Sequence, residues 1–226
     1  MKAKDFFQFP ENFGHFREYF SLDQAPWEWL VMIKIALEEK NLANQPLGVY
    51  GGVSLGRNVY IHPSVRLPHF ATLGDNVFID EGTELRPGAY IRDNVILGRG
   101  CVIGNSCELK NSILMDYVQI PHFNYVGDSI IGNYCHLGAG AVLANLRLDK
   151  KCVNVLEKST GLRKFGAILG DHAQVGCNSV LNPGSILHKN AMVSASMAFS
   201  GVLARNKLAF VDRTGLLVIR DIKNDD

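Results

Sequence analysis

A Pro-His-Phe tripeptide occurs twice in the chain, and its histidine is a side chain that can do acid–base chemistry. The first copy contains His69 and the second contains His122. A neutral imidazole, with an ordinary pKa near ~6.5, can accept a proton from a reacting group at neutral pH. Only the second copy continues with Asn124 and Tyr125. We therefore favour a functional role for His122, while a decoration of a structural repeat stays the alternative.

Disulfide and metal chemistry have less support in the sequence. The five cysteines are an odd number and form no C-x-x-C pair, which argues against a disulfide framework and against a zinc knuckle. A reducing cytoplasm fits this pattern best. We predict no metal site, but a cleft lined by three histidines stays open as an alternative. The histidines that offer this alternative are His62, His69, His122, His136, His172 and His188.

The composition indicates an ordinary globular protein. The 226 residues are 47% hydrophobic and 20% charged, and the formal net charge is +1. Because lysines and arginines are scattered along the chain, nucleic acid is not predicted as a partner. The N-terminus becomes aromatic at Phe6, and no apolar run reaches the roughly 20 residues of a bilayer helix. We expect no signal peptide and no membrane span.

A six-residue repeat predicts the elements that position these side chains. Two apolar positions separated by a polar one recur in each unit, which is typical of a short strand with one buried face. Turn formers such as Gly74-Asp75-Asn76 follow each strand. Since one unit cannot bury its apolar face alone, we predict a parallel β-helix of stacked coils. The aliphatic residues at unbroken six-residue spacing are Leu55, Ile61, Leu67, Leu73, Ile79, Leu85, Ile91, Leu97, Ile103 and Leu109.

The repeat is disturbed in two places. Steps of five residues intrude between Met115 and Ile131, and this slip coincides with His122 and Tyr125. From about 146 to 167 the pattern is lost, and it resumes at Leu169 with the same spacing. We interpret the gap as a loop inserted into one coil.

Both ends of the repeat are followed by other elements. A helix is predicted from Pro26 to about Asn41, and we expect it to cap the open end of the β-helix. Residues 208–219 have the pattern of strand, turn and strand, which would protect the other end from edge pairing. The predicted domains are an N-terminal helical cap (1–50), the β-helix with its inserted loop 146–167 (51–200), and a C-terminal hairpin and tail (201–226).

Hexapeptide repeats of this form resemble the left-handed β-helix acyltransferases. In particular, residues 80–195 are similar to the acetyltransferase domain of the bifunctional glucosamine-1-phosphate acetyltransferase and N-acetylglucosamine-1-phosphate uridyltransferase. No Gly-rich nucleotide-binding segment, as in the uridyltransferase half, precedes the repeat. The motifs that agree in order and in most spacings are Leu85-Arg86-Pro87-Gly88, Glu108-Leu109-Lys110-Asn111, His122 to Asp128, Leu137-Gly138-Ala139-Gly140, Asn145 and Ile168-Leu169-Gly170-Asp171.

The resemblance implies an all-β fold, a left-handed parallel β-helix, and a homotrimer with sites between neighbouring β-helices. It also implies that His122 is the general base, since an amine attacking a thioester must lose a proton. A backbone N–H within 138–140 is expected to stabilise the developing oxyanion. The implied binding residues are Arg86, Lys110 and Lys151 for the sugar phosphate, Tyr125, His136 and Asn145 for the sugar, and Ala139, Cys177 and Ala195 for the pantetheine arm of acetyl-CoA.

Several positions depart from the family pattern. His136 stands where the family has Asn, Leu146 replaces a Tyr, and Cys177 replaces a Ser. The hairpin at 208–219 stands where the family has a basic segment that binds coenzyme A. These departures leave the acceptor sugar and the acyl donor open. Lys110 and Arg86 each have the alternative of a solvated turn residue.

We predict an acyl-CoA-dependent N-acyltransferase of the cytoplasm. The reaction implied by the resemblance is acetyl transfer from acetyl-CoA to an aminosugar-1-phosphate or a related sugar, as in UDP-N-acetylglucosamine biosynthesis. One alternative is a non-catalytic β-helix that scaffolds a complex or trimerises a sugar-1-phosphate nucleotidyltransferase. Another keeps catalysis but uses an acyl carrier protein as donor or a nucleotide sugar as acceptor.

Overall fold

The computed structural model describes residues 1–222 of the chain. Three 3₁₀ helices (Ala3–Asp5, Glu11–Phe16 and Pro26–Val31) precede one α-helix, α1 (Met32–Lys40). The strands are β1 (Gly48–Tyr50), β2 (Val53–Leu55), β3 (Val59–Ile61), β4 (Ala71–Leu73), β5 (Val77–Ile79), β6 (Glu84–Leu85), β7 (Tyr90–Ile91), β8 (Val95–Leu97), β9 (Val102–Asn105), β10 (Glu108–Lys110), β11 (Ser112–Leu114), β12 (Gln119–His122), β13 (Tyr125–Gly127), β14 (Ile130–Ile131), β15 (His136–Leu137), β16 (Val142–Leu143), β17 (Asn154–Val155), β18 (Lys158–Ser159), β19 (Ala167–Leu169), β20 (Gln174–Val175), β21 (Val180–Leu181), β22 (Ser185–Leu187), β23 (Met192–Val193), β24 (Ala198–Phe199), β25 (Val202–Leu203), β26 (Lys207–Val211) and β27 (Leu217–Asp221).

Three parallel sheets form the faces of a β-helix. Sheet I has the order β2-β4-β7-β10-β13-β16-β21-β24, sheet II runs from β3 to β25, and sheet III runs from β6 to β26. Apart from the β17–β18 pair, successive strands from β4 to β26 enter sheets I, II and III in turn, so each of these coils contributes one strand to every face. Nine of the ten aliphatic residues of the six-residue repeat point inward and form one continuous buried core. Leu67 is the exception, because it is 37% exposed and belongs to no strand. The predicted parallel β-helix is confirmed.

The register slip arises from two shortened coils. Early coils are regular, as Leu55 pairs with Leu73, whereas Leu97 pairs with Leu114 only seventeen residues later. The first short step therefore ends at Leu114, which points into the core. Met115, the position that the sequence pattern favoured, is also buried but belongs to the cluster outside the β-helix. Two adjacent apolar residues made these two registers indistinguishable in the sequence.

The N-terminal segment covers the outer face of sheet II. Outward residues of sheet II, such as Ile96 and Ile130, are fully buried against Phe16 and Trp29 of this segment. The expectation that the helix caps the open end is therefore wrong. The outward positions of sheet II are apolar, so this face must be covered, and the segment packs along it. The end of the β-helix is instead bordered by β1, which pairs antiparallel with β2.

The inserted segment and the C-terminus each contain a hairpin. Strands β17 and β18 pair within the insertion, and a bridge between Leu146 and Lys164 closes its base. Strand β26 pairs in parallel with β23 and antiparallel with β27, so it is both the last strand of the β-helix and the first of the hairpin. The division into three domains stays a prediction. Among residues 1–222, no helix has the length and apolar character needed to cross a bilayer.

Candidate functional site

His122 lies in a column of turn residues between sheets III and I, one from each coil. It pairs with Asn105 of the preceding coil, and its carbonyl accepts a hydrogen bond from Gly140 N–H at 3.0 Å. The Ala139 carbonyl likewise accepts from Asn178 N–H at 2.8 Å, and the Cys177 carbonyl from Ser196 N–H at 2.8 Å. These bonds stack successive coils in register. The predicted base and the three predicted donor-binding residues thus form one column, which we call the corner column: His122, Ala139, Cys177 and Ala195.

Backbone geometry beside the corner column narrows the predicted oxyanion donor to one group. The N–H of Gly138 donates to the Val175 carbonyl at 2.7 Å, and that of Gly140 donates to His122. Within residues 1–222, the Ala139 N–H has no hydrogen-bond partner. A Cβ atom on Gly138 would lie 2.6 Å from the Cys177 nitrogen, so only glycine permits this close stacking. The Ala139 N–H is therefore available to a ligand next to His122.

A polar cluster surrounds Asp128 at the opposite edge of sheet I. This carboxylate is only 4% exposed. It accepts hydrogen bonds from Lys110 Nζ at 3.3 Å, from Asn111 Nδ2 at 2.9 Å and from Asn145 Nδ2 at 2.5 Å. Lys110 is half-buried in this arrangement, so the alternative of a freely solvated turn residue does not describe it. The structure brings the predicted residues Lys110 and Asn145 together through a carboxylate that the sequence did not assign.

Tyr125 stands on the outer face of sheet I, between the corner column and the Asp128 cluster. Burial raises the pKa of the Tyr125 hydroxyl, and the nearby carboxylates Asp128 and Glu108 raise it further. The hydroxyl is therefore protonated at neutral pH. Glu108 pairs with Tyr125 across the sheet and forms an ion pair of 2.8 Å with Arg92. This face thus presents a neutral hydroxyl between two carboxylates that are each paired with a cation, Glu108 with Arg92 and Asp128 with Lys110.

Three predicted residues lie apart from this face of the protomer. His136 points outward from sheet III, where it pairs with Gln119 and Gln174. Arg86 follows a strand of sheet III and forms an ion pair of 2.8 Å with Glu84. Lys151 is exposed on the inserted segment. One protomer alone does not gather the predicted sugar and phosphate ligands into a single pocket.

The sequence reasoning missed Asp128 and Asn124 as site residues. Both lie inside the segment 122–128 that the resemblance singled out, which was the available signal. Asp128 was quoted only as the last residue of this segment, and the first copy has Asp75 at the same place, where the structure shows an exposed pair with Arg57. Asn124 was noticed only as a difference between the copies, yet it is 2% exposed and hydrogen bonds to the turn beneath it.

The larger cavities and the potential metal ligands do not coincide with the predicted site residues. In the described part of the chain, no group of three or more His, Cys, Asp or Glu side chains is placed to hold a metal. A cavity of about 800 Å³ lies between Trp27 and Leu156, but none of the predicted site residues lines it. A cleft of about 560 Å³ runs between the insertion and sheet I, beginning beside Asn145 at Ala144. We place the candidate site on sheet I because the reactive side chains converge there.

Comparison with known protein families identifies the family of this chain. Residues 73–198, more than half of the chain, match the family model of the GMPPB C-terminal domain. The chain belongs to this family. The matched region contains the corner column, Tyr125 and the Asp128 cluster.

Curated relatives are similar over the same region. The "bifunctional protein GlmU" of Methanococcus vannielii is 39% identical over 121 residues, which cover 52% of this chain and 29% of that protein. The "bifunctional sugar-1-phosphate nucleotidylyltransferase/acetyltransferase" of Sulfurisphaera tokodaii is 46% identical over 86 residues, which cover 36% of this chain and 21% of that protein. The chain spans less than a third of the length of these relatives. The resemblance predicted from the motifs is confirmed.

Solved structures that superpose on part of the chain include acyltransferases. The UDP-N-acetylglucosamine acyltransferase of Francisella novicida superposes with a TM-score of 0.49 at 18% identity, covering 70% of this chain and 58% of that one. The acetyltransferase domain of PglB from Neisseria gonorrhoeae, solved with acetyl coenzyme A, superposes with a TM-score of 0.47 at 14% identity, covering 58% and 55%.

Proposed function

We propose that the protein is an acyl-CoA-dependent N-acyltransferase that transfers acetyl from acetyl-CoA to an aminosugar-1-phosphate or a related sugar. The observation that carries the proposal is the corner column, in which His122 lies directly beside the unpaired Ala139 N–H. A base and an oxyanion donor on neighbouring coils are the two groups that acyl transfer to an amine requires. The relatives named as bifunctional proteins, one of them as an acetyltransferase, support the same reaction class.

The small residues below His122 suit an extended thioester substrate. Ala139 is half-buried, while Cys177 and Ala195 are exposed and carry short side chains. They leave a strip along the corner column in which a pantetheine arm can lie without displacing a large side chain. The donor supplies an acyl group on a thiol leaving group. The chain supplies the surface that orients it toward His122.

The acceptor amine would lie between the corner column and Tyr125. His122 removes a proton from the nitrogen as the nitrogen forms its bond to the thioester carbon, and the Ala139 N–H stabilises the charge on the oxygen. The carbon–sulfur bond then breaks, and the proton passes from His122 to the thiolate. The protonated Tyr125 hydroxyl and the Lys110–Asp128–Asn145 cluster would orient the sugar by hydrogen bonds.

The test is release of coenzyme A thiol from acetyl-CoA, measured with a panel of aminosugar phosphates. We expect His122→Ala to lower thiol release about a hundredfold or more, to a small residual rate, because general base catalysis is lost. Circular dichroism and thermal unfolding should stay as in the wild type, because His122 is exposed. His69→Ala is the matched control. It removes the histidine of the other Pro-His-Phe copy, three coils earlier, and should leave turnover unchanged. Undiminished turnover in His122→Ala would exclude His122 as the base.

A homotrimer and a cytoplasmic location complete the proposal. His136 and Tyr125 lie on different faces of one protomer, so a site containing both requires a second copy. Two outer faces, those of sheets I and III, are free of the N-terminal segment and can meet a neighbouring copy. All five cysteines are free thiols, which suits a reducing compartment.

The non-catalytic scaffold is the disfavoured alternative. A purely structural role leaves the exposed His122 beside the unpaired Ala139 N–H without a function. The scaffold would be supported if calorimetry detected no acetyl-CoA binding and the protein copurified with a nucleotidyltransferase subunit.

A further inference from the structure

Asn124 occupies a position where the interior of the β-helix otherwise contains small or apolar residues. The residues at this position in successive coils are Val53, Ala71, Ala89, Cys107, Asn124, Ala141, Ser179 and Met197. A primary amide buried in such a core is costly unless its donors and acceptor are paired. It lies in the coil that contains His122.

The Asn124 amide pairs with groups of two coils. Its Nδ2 donates to the Gly138 carbonyl at 2.7 Å and to the Ala141 carbonyl at 3.3 Å, both in the following coil. Its Oδ1 accepts from the backbone N–H of His122 at 3.2 Å. The Cys107 thiol is 3.5 Å from the same oxygen. Burial raises the pKa of Cys107, so this thiol is protonated and can donate.

Comparison with Ser179 shows which hydrogen bond of Asn124 only stabilises the β-helix and which one is specific to His122. It occupies the same position two coils later, and its Oγ donates to the Ser194 carbonyl at 2.7 Å, which corresponds to the bond from Asn124 to Gly138. In residues 1–222, however, no hydrogen bond joins Ser179 to the N–H of Cys177, the residue that corresponds to His122. The bond to the next coil is thus a general stabilising device of this column, whereas the bond to His122 belongs to Asn124.

We infer that Asn124 is a positioning residue that fixes His122 relative to the Ala139 N–H. One rigid side chain holds the backbone of His122 and the carbonyl of Gly138, whose next residue is Ala139. The spacing between the base and the oxyanion donor therefore depends on this amide. The first Pro-His-Phe copy has Ala71 at the corresponding place and lacks the connection. This inference rests on the proposed function, because it assigns Asn124 a role through His122.

The test compares Asn124→Ser, Asn124→Ala and Ser179→Ala for thermal unfolding, kcat and KM. Asn124→Ser retains a hydroxyl that can bond the next coil, as Ser179 does, but loses the bond to His122. We expect its kcat to fall roughly tenfold to a hundredfold, as misplaced catalytic groups do, while KM and the unfolding midpoint change little. Asn124→Ala should lose the same kcat and also unfold at lower temperature. Ser179→Ala should unfold at lower temperature with unchanged kcat.

A double variant tests whether Asn124 acts through His122. In the His122→Ala background, Asn124→Ser should cause no further loss of the residual rate. If the wild type is active and the Asn124→Ser variant has the same kcat, the inference is overturned and the proposed function stays intact. A further loss in the double variant would also overturn it, because Asn124 would then act independently. Absence of turnover in the wild type would overturn the proposed function and, with it, this inference.

Discussion

Two identical tripeptides in one column of turns acquire different chemical surroundings. His69 lies in the same turn column as His122, three coils earlier. The residue that follows His69 in the column is Pro87, which has no N–H to offer a ligand. The residue that follows His122 is Ala139, whose N–H is unpaired. The difference between the two histidines therefore arises from the next coil rather than from the tripeptide.

Asp128 is the residue whose change should affect the folded state most directly. Asp128→Asn leaves Lys110 beside a neutral amide and turns an NH₂ group toward other donors. We expect the free energy of unfolding in urea to fall by about 1–3 kcal/mol, the usual cost of a lost charged hydrogen bond. Asp75→Asn, at the same place in the first copy, alters a more exposed ion pair with Arg57 and should cost below about 1 kcal/mol. Equal losses would contradict a special role of the Asp128 cluster.

The N-terminal segment is the element that most changes the surface of the β-helix. It covers sheet II with a cluster of aromatic residues, including Phe13, Phe16 and Trp29, which are fully buried. At its start, Phe6 stacks on His188 of the β-helix with ring centroids 4.3 Å apart. Sheet II is therefore unavailable to a neighbouring copy, while sheets I and III stay open for ligands and partners.

The contact between Phe6 and His188 predicts a pH dependence of this segment. Burial lowers the pKa of His188; Asp5 opposes this effect, and the N-terminal amino group and Arg205 reinforce it. Because the unfolded chain binds the proton more readily, the stabilisation is complete above the ordinary pKa near ~6.5 and decreases as the pH falls below it. Protection of the amides of residues 3–16, measured as their exchange rate relative to the intrinsic rate at each pH, should therefore decrease as the pH falls below about 6.5.

His188→Phe is the matched variant for this prediction. It keeps a ring for stacking on Phe6 but cannot bind a proton. Its exchange in the N-terminal segment should show less dependence on pH than the wild type. The same pH dependence in both proteins would exclude His188 as the titrating group.

At the scale of the whole molecule, the proposed site extends beyond one chain. His122 and Tyr125 belong to the corner column and sheet I, whereas His136 lies on sheet III. Cyclic symmetry would bring sheet III of one copy against sheet I of the next, and each interface would then hold one site. The proposed trimer explains why a single protomer leaves the predicted ligands divided between faces.

Subunit mixing tests this arrangement. His122→Ala and His136→Ala proteins, each impaired alone, should regain activity when they are unfolded and refolded together. In randomly mixed rings, about a quarter of the interfaces combine an intact His122 with an intact His136 from the neighbour. Light scattering should give three times the mass of one chain. A monomeric mass, or no regained activity from two impaired parents, would contradict a shared site.

The sequence by itself determined the coil, because the coil depends on local rules. Alternating burial within three residues defines each strand, and turn residues such as Asn76 and Asn94 adopt positive φ at the corners. The motif 122–128 likewise identified the segment that contains the candidate base. These features depend on neighbours a few residues apart, so they are visible without the fold.

The tertiary structure decided which residues meet, because those contacts join different coils. The partners in the corner column are 17 to 38 residues apart in the chain, and the inserted segment separates two of them. The choice between Leu114 and Met115, the packing of the N-terminal segment on sheet II, and the burial of Asp128 all depend on which face a residue takes. Stacking of coils decides that face, and a shift of one residue would reverse it.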